Sequence, residues 1–136
     1  MPNEIGRDWG IAVLRVMAGI IFLAHGQQKL FVFGFNGVEG AFAHLGLPIP
    51  GILGPFVALL EFAGGVALVF GVLTRWISVL FAIEMAVAVL KVHLASGFYL
   101  PNGYEFALTM CGVSVALALA GPGAAALDDR IFNRCA

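Results

Sequence analysis

An apolar stretch near the start of the chain carries three basic side chains, Arg15, His25 and Lys29, at positions that fit one helix. At 100° per residue, Arg15 and Lys29 share a face made largely of small residues, and His25 lies at its edge. An arginine or lysine that faces hydrocarbon costs at least roughly 2.5–3.5 kcal/mol. The stretch therefore predicts acidic partners on other helices, and the chain offers these candidates: Glu61, Glu84, Glu105.

Depth along the helices indicates which of these charges meet. A helix rises about 1.5 Å per residue, which places Arg15 about 10 Å and Glu84 about 12 Å from the same membrane face. We therefore expect a structural ion pair between Arg15 and Glu84. Glu61 comes at about 18 Å, and Lys91 or His25, at about 22 and 25 Å, match it next best.

Titratable groups near the opposite membrane face could do chemistry that a structural ion pair does not. An imidazole exchanges a proton near neutral pH, and an ammonium can donate a hydrogen bond to a ligand oxygen. Ionisable side chains inside a membrane often form a ligand, proton or electron-carrier site. We predict one ligand-binding pocket that draws on these residues: His25, Lys29, Glu61, Lys91, His93, Glu105. The alternative is that the charges only hold the helices together, as polar groups do in membrane bundles.

A metal site is not expected, because Lys29 and Lys91 would compete with a metal cation for the same carboxylates and imidazoles. Cys111 and Cys135 form no close pair in the sequence and indicate neither a redox dithiol nor a zinc site. A covalently bound cofactor is not expected either.

The composition is that of a membrane protein. Hydrophobic residues make up 61% of the 136 residues, charged residues make up 11%, and the mean hydropathy is +1.00. A soluble domain carries about 25% charged residues, so this chain lacks the polar surface that water requires. The length fits a single domain over residues 1–136. A formal net charge of −1 gives no indication of a nucleic-acid partner.

Four apolar segments alternate with turns rich in glycine and proline, which predicts an all-α fold, a transmembrane four-helix bundle. The predicted spans are approximately residues 9–33, 52–73, 76–94 and 104–120. Between the first two spans, the spacing of Val38, Ala41, Phe42 and Leu45 is typical of a short helix that lies in the membrane interface.

Four spans bring both termini to one side of the membrane. That side holds Arg7, Arg75, Arg130 and Arg134, whereas Lys29 and Lys91 lie toward the other side. Because basic residues favour the cytoplasmic face, we predict that the N- and C-termini are cytoplasmic.

A series of short motifs, taken in order, resembles the DoxX family of small four-helix membrane proteins. The motifs cover nearly the whole chain: Leu14-Arg15, Gly19, Phe22, His25-Gly26, Lys29-Leu30-Phe31, Gly46-Leu47-Pro48, Pro50, Glu61, Gly64-Gly65, Gly71, Thr74-Arg75, His93, Gly97-Phe98, Gly103-Tyr104-Glu105, Gly121-Pro122-Gly123 and Leu127-Asp128. The resemblance implies a bacterial or archaeal cytoplasmic-membrane protein. A relative in this family, DoxD, is the membrane subunit of a thiosulfate:quinone oxidoreductase, and mycobacterial members resemble a scaffold for redox enzymes.

Together, the residues and the resemblance favour a redox-associated membrane subunit that binds a quinone or similar lipid-soluble ligand in the outer polar pocket. Such a subunit is at most the membrane part of a quinone-linked oxidoreductase. The alternative is a non-catalytic scaffold or accessory subunit that docks a partner protein or a larger complex. Membrane lipids are the other expected partners, and a homo-oligomer is left open. Ion translocation would need a continuous polar path, for which four short helices leave little room.

Overall fold

The computed structural model describes residues 2–132, and its regular structure within them is helical. The α-helices are α1 (Pro2–Gln27), α2 (Gly34–His44), α3 (Pro50–Phe70), α4 (Thr74–Ala88), α5 (Glu105–Ala120) and α6 (Asp128–Phe132). A first π segment, Gln28–Phe33, continues α1, and a second, Val89–His93, continues α4 into the 3₁₀ turn Leu94–Ser96. Arg134 and Cys135, named in the sequence predictions, lie outside the described residues.

Three of these helical stretches are long and apolar enough to cross a membrane: Asn3–His44, Pro50–Phe70 and Thr74–Ser96. Helix α5 has 16 residues, a length of about 24 Å, which is shorter than a hydrocarbon core of roughly 30 Å. The helices are compatible with a membrane bundle. A fourth span at α5 and an interfacial position for α2 stay predictions.

Gly34 turns the chain between the first π segment and α2. Its φ of 72° and ψ of 168° lie outside the helical region, and a glycine reaches a positive φ without a steric penalty. The 42-residue stretch Asn3–His44 is therefore not one straight rod. The turn lets α2 fold back onto α3, where Val38 is buried against Gly54.

Helices α1 and α3 lie against each other almost backbone to backbone. A Cβ added to Gly19 would come within 2.8 Å of the Gly65 carbonyl oxygen, and one added to Gly26 would overlap the backbone of Phe62. Small residues at such contacts are how membrane helices approach closely. Helices α4 and α5 form the second closely packed pair.

A shared core joins the two helix pairs. The rings of Phe22 on α1 and Phe81 on α4 stack with centroids 3.7 Å apart and planes within 5° of each other. Ala18, Leu68, Met110 and Leu117 complete the buried cluster around them. The core thus lies midway along the bundle and separates its two ends.

Arg15 holds the end of the bundle where the chain starts. Its guanidinium is buried and donates hydrogen bonds to the carbonyl oxygens of Pro122 (2.5 Å), Ala124 (3.1 Å) and Ala125 (3.1 Å). The expected ion pair between Arg15 and Glu84 does not form in the structure. Backbone carbonyl oxygens of the segment after α5 accept from the two Nη atoms of Arg15 instead, and Glu84 lies beside Glu61.

Two further side chains, Asp128 and Arg75, form hydrogen bonds at the same end of the bundle. Asp128 accepts hydrogen bonds from the backbone N–H groups of Leu73 (2.6 Å) and Thr74 (3.0 Å), which are free because α4 begins there. Arg75 donates to the carbonyl oxygens of Ala118 (3.1 Å) and Leu119 (2.7 Å), at the end of α5. These contacts leave the opposite end of the bundle free to separate around a cavity.

Candidate functional site

A cavity of about 410 Å³ lies at the end of the bundle opposite Arg15, between α1, α2, α3, α4, α5 and the two π segments. Its walls are mostly aliphatic and aromatic side chains, among them Phe22, Phe56 and Phe106. Within residues 2–132, the ionisable side chains that line it are His25, Lys29, Glu61, Glu84 and His93. An apolar cavity with a few convergent polar groups is the usual form of a small-molecule site.

Lys29 and Glu61 form an ion pair in the cavity wall. The Lys29 Nζ atom lies 2.6 Å from Glu61 Oε2, and the two side chains are only 20% and 5% exposed. Gly26, about one turn before Lys29, lets α1 lie directly against the backbone at Glu61 and Phe62. The close helix contact therefore brings the ammonium within reach of the carboxylate.

Glu84 adds a second carboxyl group beside this ion pair. Its electrostatic neighbours are Glu61 and Lys29. Both of its oxygens are buried, and no N–H or O–H donor of another residue in the described part of the chain reaches them; the hydrogen-bonding neighbour of the carboxyl is the Glu61 carboxylate. Buried polar groups without a partner are uncommon in folded proteins, and each needs a physical explanation. A group that is free inside a cavity is available to a ligand.

The two histidines that line the cavity are oriented by backbone carbonyl groups. His25 Nδ1 lies 2.8 Å from the Ile21 oxygen, and His93 Nδ1 lies 3.1 Å from the Asn102 oxygen. Because a carbonyl oxygen only accepts, each Nδ1 carries the hydrogen, and Nε2 of the neutral ring is an acceptor. The His25 ring also stacks on Phe106 with centroids 6.0 Å apart.

Each π segment contributes a polar side chain to the cavity. Lys29 belongs to the first segment and His93 to the second. A π turn has i→i+5 hydrogen bonds and is wider than an α turn, and such turns are frequent at functional sites. The wider turns rotate the residues that follow them relative to an ideal α-helix.

The structure brings together four of the six predicted ligand-binding residues, His25, Lys29, Glu61 and His93, but leaves two outside. Lys91 is exposed, Glu105 is half-buried, and neither lines the cavity. Lys91 sits inside the second π segment, where an α-helical spacing does not hold, so a match in depth with Glu61 did not place its side chain in the cavity. Glu105 is the first residue of α5 and stays at the rim.

Glu84 is the cavity residue that the sequence interpretation assigned elsewhere. Its estimated depth of about 12 Å differed from that of Glu61, about 18 Å, by little more than one helical turn. That difference in depth is close to the uncertainty of a residue count, so the same argument could also have predicted that Glu84 lies beside Glu61.

Helix α2 covers part of the cavity. Phe42 and Leu45, which the spacing of the sequence placed on one side, both line it. The loop over residues 96–103 contributes no lining side chain among the described residues. The cover is therefore formed by α2 and the short connection that follows it.

Comparisons with known proteins agree with this architecture. The DoxX family model matches residues 10–94. The chain is 36% identical over 125 residues to "Putative oxidoreductase CatD" of Bacillus subtilis, covering 91% of this chain and 88% of the relative. It is 34% identical over 131 residues to "Inner membrane protein YqjF" of Escherichia coli, covering 93% and 95%.

A third relative, "Inner membrane protein YphA" of Escherichia coli, is 29% identical over 126 residues and covers 88% of this chain and 89% of the relative. No solved structure matches the chain significantly. The family model covers more than half of the chain and includes Arg15, Lys29, Glu61, Glu84 and His93. From this match and from the two relatives above 30% identity, we conclude that the chain belongs to the DoxX family of membrane proteins.

Proposed function

We propose that this protein is a redox-associated subunit of the membrane that binds a quinone or a similar lipid-soluble ligand in the cavity. The observation that carries the proposal is an apolar cavity of about 410 Å³ with the Lys29–Glu61 ion pair and the free Glu84 carboxyl in its wall. A lipid-soluble molecule with a polar head matches both parts of this surface.

The size and lining of the cavity suit such a ligand. Small-molecule sites typically enclose roughly 300–1,000 Å³, and this cavity falls in that range. The aromatic side chains Phe22, Phe56 and Phe106 offer flat apolar contacts for a ring. Burial of the ring and tail supplies most of the binding free energy, while the polar groups fix the orientation of the head.

Lys29 is the cation available to a ligand oxygen. Its ammonium group has three N–H donors, and the contact with Glu61 Oε2 uses one of them. A second can donate to an oxygen of the ligand head. His25 and His93 supply imidazoles and Glu61 supplies a carboxylate, which are side-chain types that serve as general acids and bases. The cavity therefore offers both binding and proton-handling groups.

The position of the charges supports a defined orientation in the membrane. Arg7, Arg15 and Arg75 lie toward the end where the chain starts, and Lys29 and the cavity lie toward the other. By the positive-inside rule, we place the termini in the cytoplasm and the cavity toward the outer leaflet. Relatives named as inner membrane proteins support the bacterial cytoplasmic membrane as the location.

The redox part of the proposal is supported by a relative that carries the name "Putative oxidoreductase CatD". In this proposal the electrons come from a partner protein that docks at the membrane surface, and the present chain holds the quinone. The competing interpretation is a non-catalytic scaffold that docks a partner and leaves the cavity without a ligand.

The test is equilibrium binding of a short-tail ubiquinone to the purified protein in lipid nanodiscs. We expect saturable binding, because the cavity is preformed. His25→Ala should weaken it at least about tenfold, since the flat ring that lines the cavity and stacks on Phe106 is lost together with its contact area. His25 is exposed in the structure, so thermal stability should stay close to that of the wild type.

Two matched variants control this experiment. His44 is exposed on α2 and does not line the cavity, so His44→Ala should leave ubiquinone affinity within about twofold. Lys29→Met should weaken binding, whereas Lys91→Met should not, because Lys91 lies outside the cavity. Absence of saturable binding by the wild type would favour the scaffold instead.

A further inference from the structure

We propose that the cavity prefers ligands whose polar head donates hydrogen bonds, and that Glu84 makes this selection. For a quinone-type ligand, the hydroxyl-bearing reduced form, the quinol, would then bind more tightly than the carbonyl-bearing oxidised form. This inference rests on the proposed function and names the form of the ligand that the site favours.

The free polar groups of the cavity are mostly acceptors. Glu84 contributes two buried oxygens that accept no hydrogen bond from a donor in residues 2–132; if one of them carries a proton shared with Glu61, the other stays a free acceptor. His25 and His93 each direct Nδ1–H to a carbonyl oxygen, so the remaining nitrogen of each neutral ring is an acceptor. Three lining side chains therefore offer lone pairs to whatever occupies the cavity.

Donors are fewer, and the strongest one is already engaged. Lys29 donates to Glu61 Oε2 at 2.6 Å, and its charge is balanced by that carboxylate. Glu84 is then a second carboxyl beside a pair that is already neutral. If Glu84 is ionised it has only acceptors, and if it carries a proton it still keeps a free acceptor oxygen. In both states it can accept a hydrogen bond from a hydroxyl group.

A ligand head with only carbonyl oxygens cannot satisfy these acceptors. It would exclude water from the Glu84 oxygens without giving them a donor, which costs binding free energy. A quinol has two O–H groups and can supply the missing donor. Sites built to hydrogen-bond a hydroxyl group reject analogues that lack it for this reason.

The experiment compares the two redox forms of one short-tail ubiquinone, measured separately under anaerobic conditions with the protein in nanodiscs. The wild type should bind the quinol at least about fivefold more tightly than the quinone, which corresponds to one net hydrogen bond. Glu84→Leu should remove this preference, mainly by weakening quinol binding. Glu84→Gln keeps one acceptor oxygen but adds N–H donors that a quinone carbonyl can use, so it should reduce the preference, with quinone binding strengthened rather than quinol binding lost.

Glu39→Leu is the matched control. Glu39 is an exposed carboxylate on α2 that does not line the cavity, so the ratio of the two affinities should not change. Glu84→Leu replaces a buried carboxyl, whose hydrogen-bonding neighbour is the Glu61 carboxylate, by an apolar side chain of similar size and should therefore fold about as stably as the wild type. A thermal melt of each variant checks this.

The outcomes separate this inference from the proposed function. Equal affinity for the two forms, or a preference that survives Glu84→Leu, would overturn the role of Glu84 while leaving the quinone site intact. Failure of the wild type to bind either form would overturn both proposals.

Discussion

Arg15, Lys29 and Glu84 show three ways in which an ionisable side chain is accommodated inside an apolar bundle. Arg15 donates to three backbone carbonyl groups, and Lys29 pairs with the carboxylate of Glu61. Glu84 lies beside that pair with Glu61 as its hydrogen-bonding neighbour, and its two oxygens accept no hydrogen bond from a donor in the described chain. The first two arrangements stabilise the fold, whereas the third leaves binding capacity for a ligand.

The Lys29–Glu61 pair leads to a prediction about stability. Removing one partner of a buried ion pair costs about 3–5 kcal/mol, because the other charge is left without compensation. Lys29→Met alone should therefore lower the free energy of unfolding strongly in a detergent-titration assay. The double variant Lys29→Met/Glu61→Leu should recover most of that loss. If the effects of the two single changes simply add, the pair carries no coupling and its structural role is refuted.

At the residue scale, the sequence predicted which charges lie in the membrane better than it predicted their partners. Depth follows from a residue count, so Arg15 and Glu84 came out at similar heights. Which charged groups pair also depends on the rotation of each helix about its axis and on the conformation of the loops. A hydropathy pattern predicts neither of these. Arg15 donates to the backbone carbonyl oxygens of Pro122, Ala124 and Ala125, and a comparison of side-chain charges cannot predict backbone partners.

At the scale of elements, the contact between α1 and α3 sets the geometry of the site. Gly26 allows the two backbones to touch beside Glu61, and Lys29 follows one turn later. Any side chain at Gly26 would push the helices apart just where the ammonium must reach the carboxylate. The same contact therefore serves both packing and the ion pair.

Gly26→Ala tests this close approach. An added Cβ would overlap the backbone of Phe62, and overpacking of this kind costs about 1–3 kcal/mol. We expect a lower free energy of unfolding together with weaker ubiquinone binding, because Lys29 is displaced from Glu61. Gly10→Ala, on the same helix, meets no atom within 4 Å and should be neutral or stabilising. Equal effects of the two changes would argue against a tight α1–α3 contact.

Helices occupy the last three segments that the sequence predicted as membrane spans, while the crossing of the membrane by all four stays a prediction. The predicted spans at residues 52–73, 76–94 and 104–120 correspond to Pro50–Phe70, Thr74–Ser96 and Glu105–Ala120, because apolar runs bounded by glycine and proline define helices well. The π segments were not predictable, since the choice between i→i+4 and i→i+5 bonds depends on tertiary packing. This is why Lys91 was assigned to a cavity that it does not line.

At the scale of the whole molecule, the two ends of the bundle differ. One end is tied by Arg15, Arg75 and Asp128 to backbone groups, and the other holds the cavity. In the function proposed above, the ligand enters at the end that holds the cavity, away from these backbone contacts. The sequence predicted the charge asymmetry that distinguishes the ends, but not the cavity between them.

The proposed orientation is tested by a topology reporter fused after Ala136. Because arginines concentrate toward the end that holds Arg15 and Arg75, we expect the reporter to behave as cytoplasmic. A cysteine introduced at the exposed Tyr99, near the cavity end, should in turn react with a membrane-impermeant thiol reagent added from outside. A periplasmic reporter at the C-terminus would invert the orientation, and with it the leaflet assigned to the cavity.

The most direct test of a ligand site in the cavity is to map where a photoreactive quinone attaches. The protein in nanodiscs is irradiated with an azido-quinone, with and without an excess of unlabelled ubiquinone, and the modified peptides are identified by mass spectrometry. We expect labelling of cavity residues such as Met85, Phe106 and Met110, suppressed by the competitor. Labelling confined to exposed positions such as Trp76 and Leu119, or unaffected by the competitor, would contradict a quinone site in this cavity.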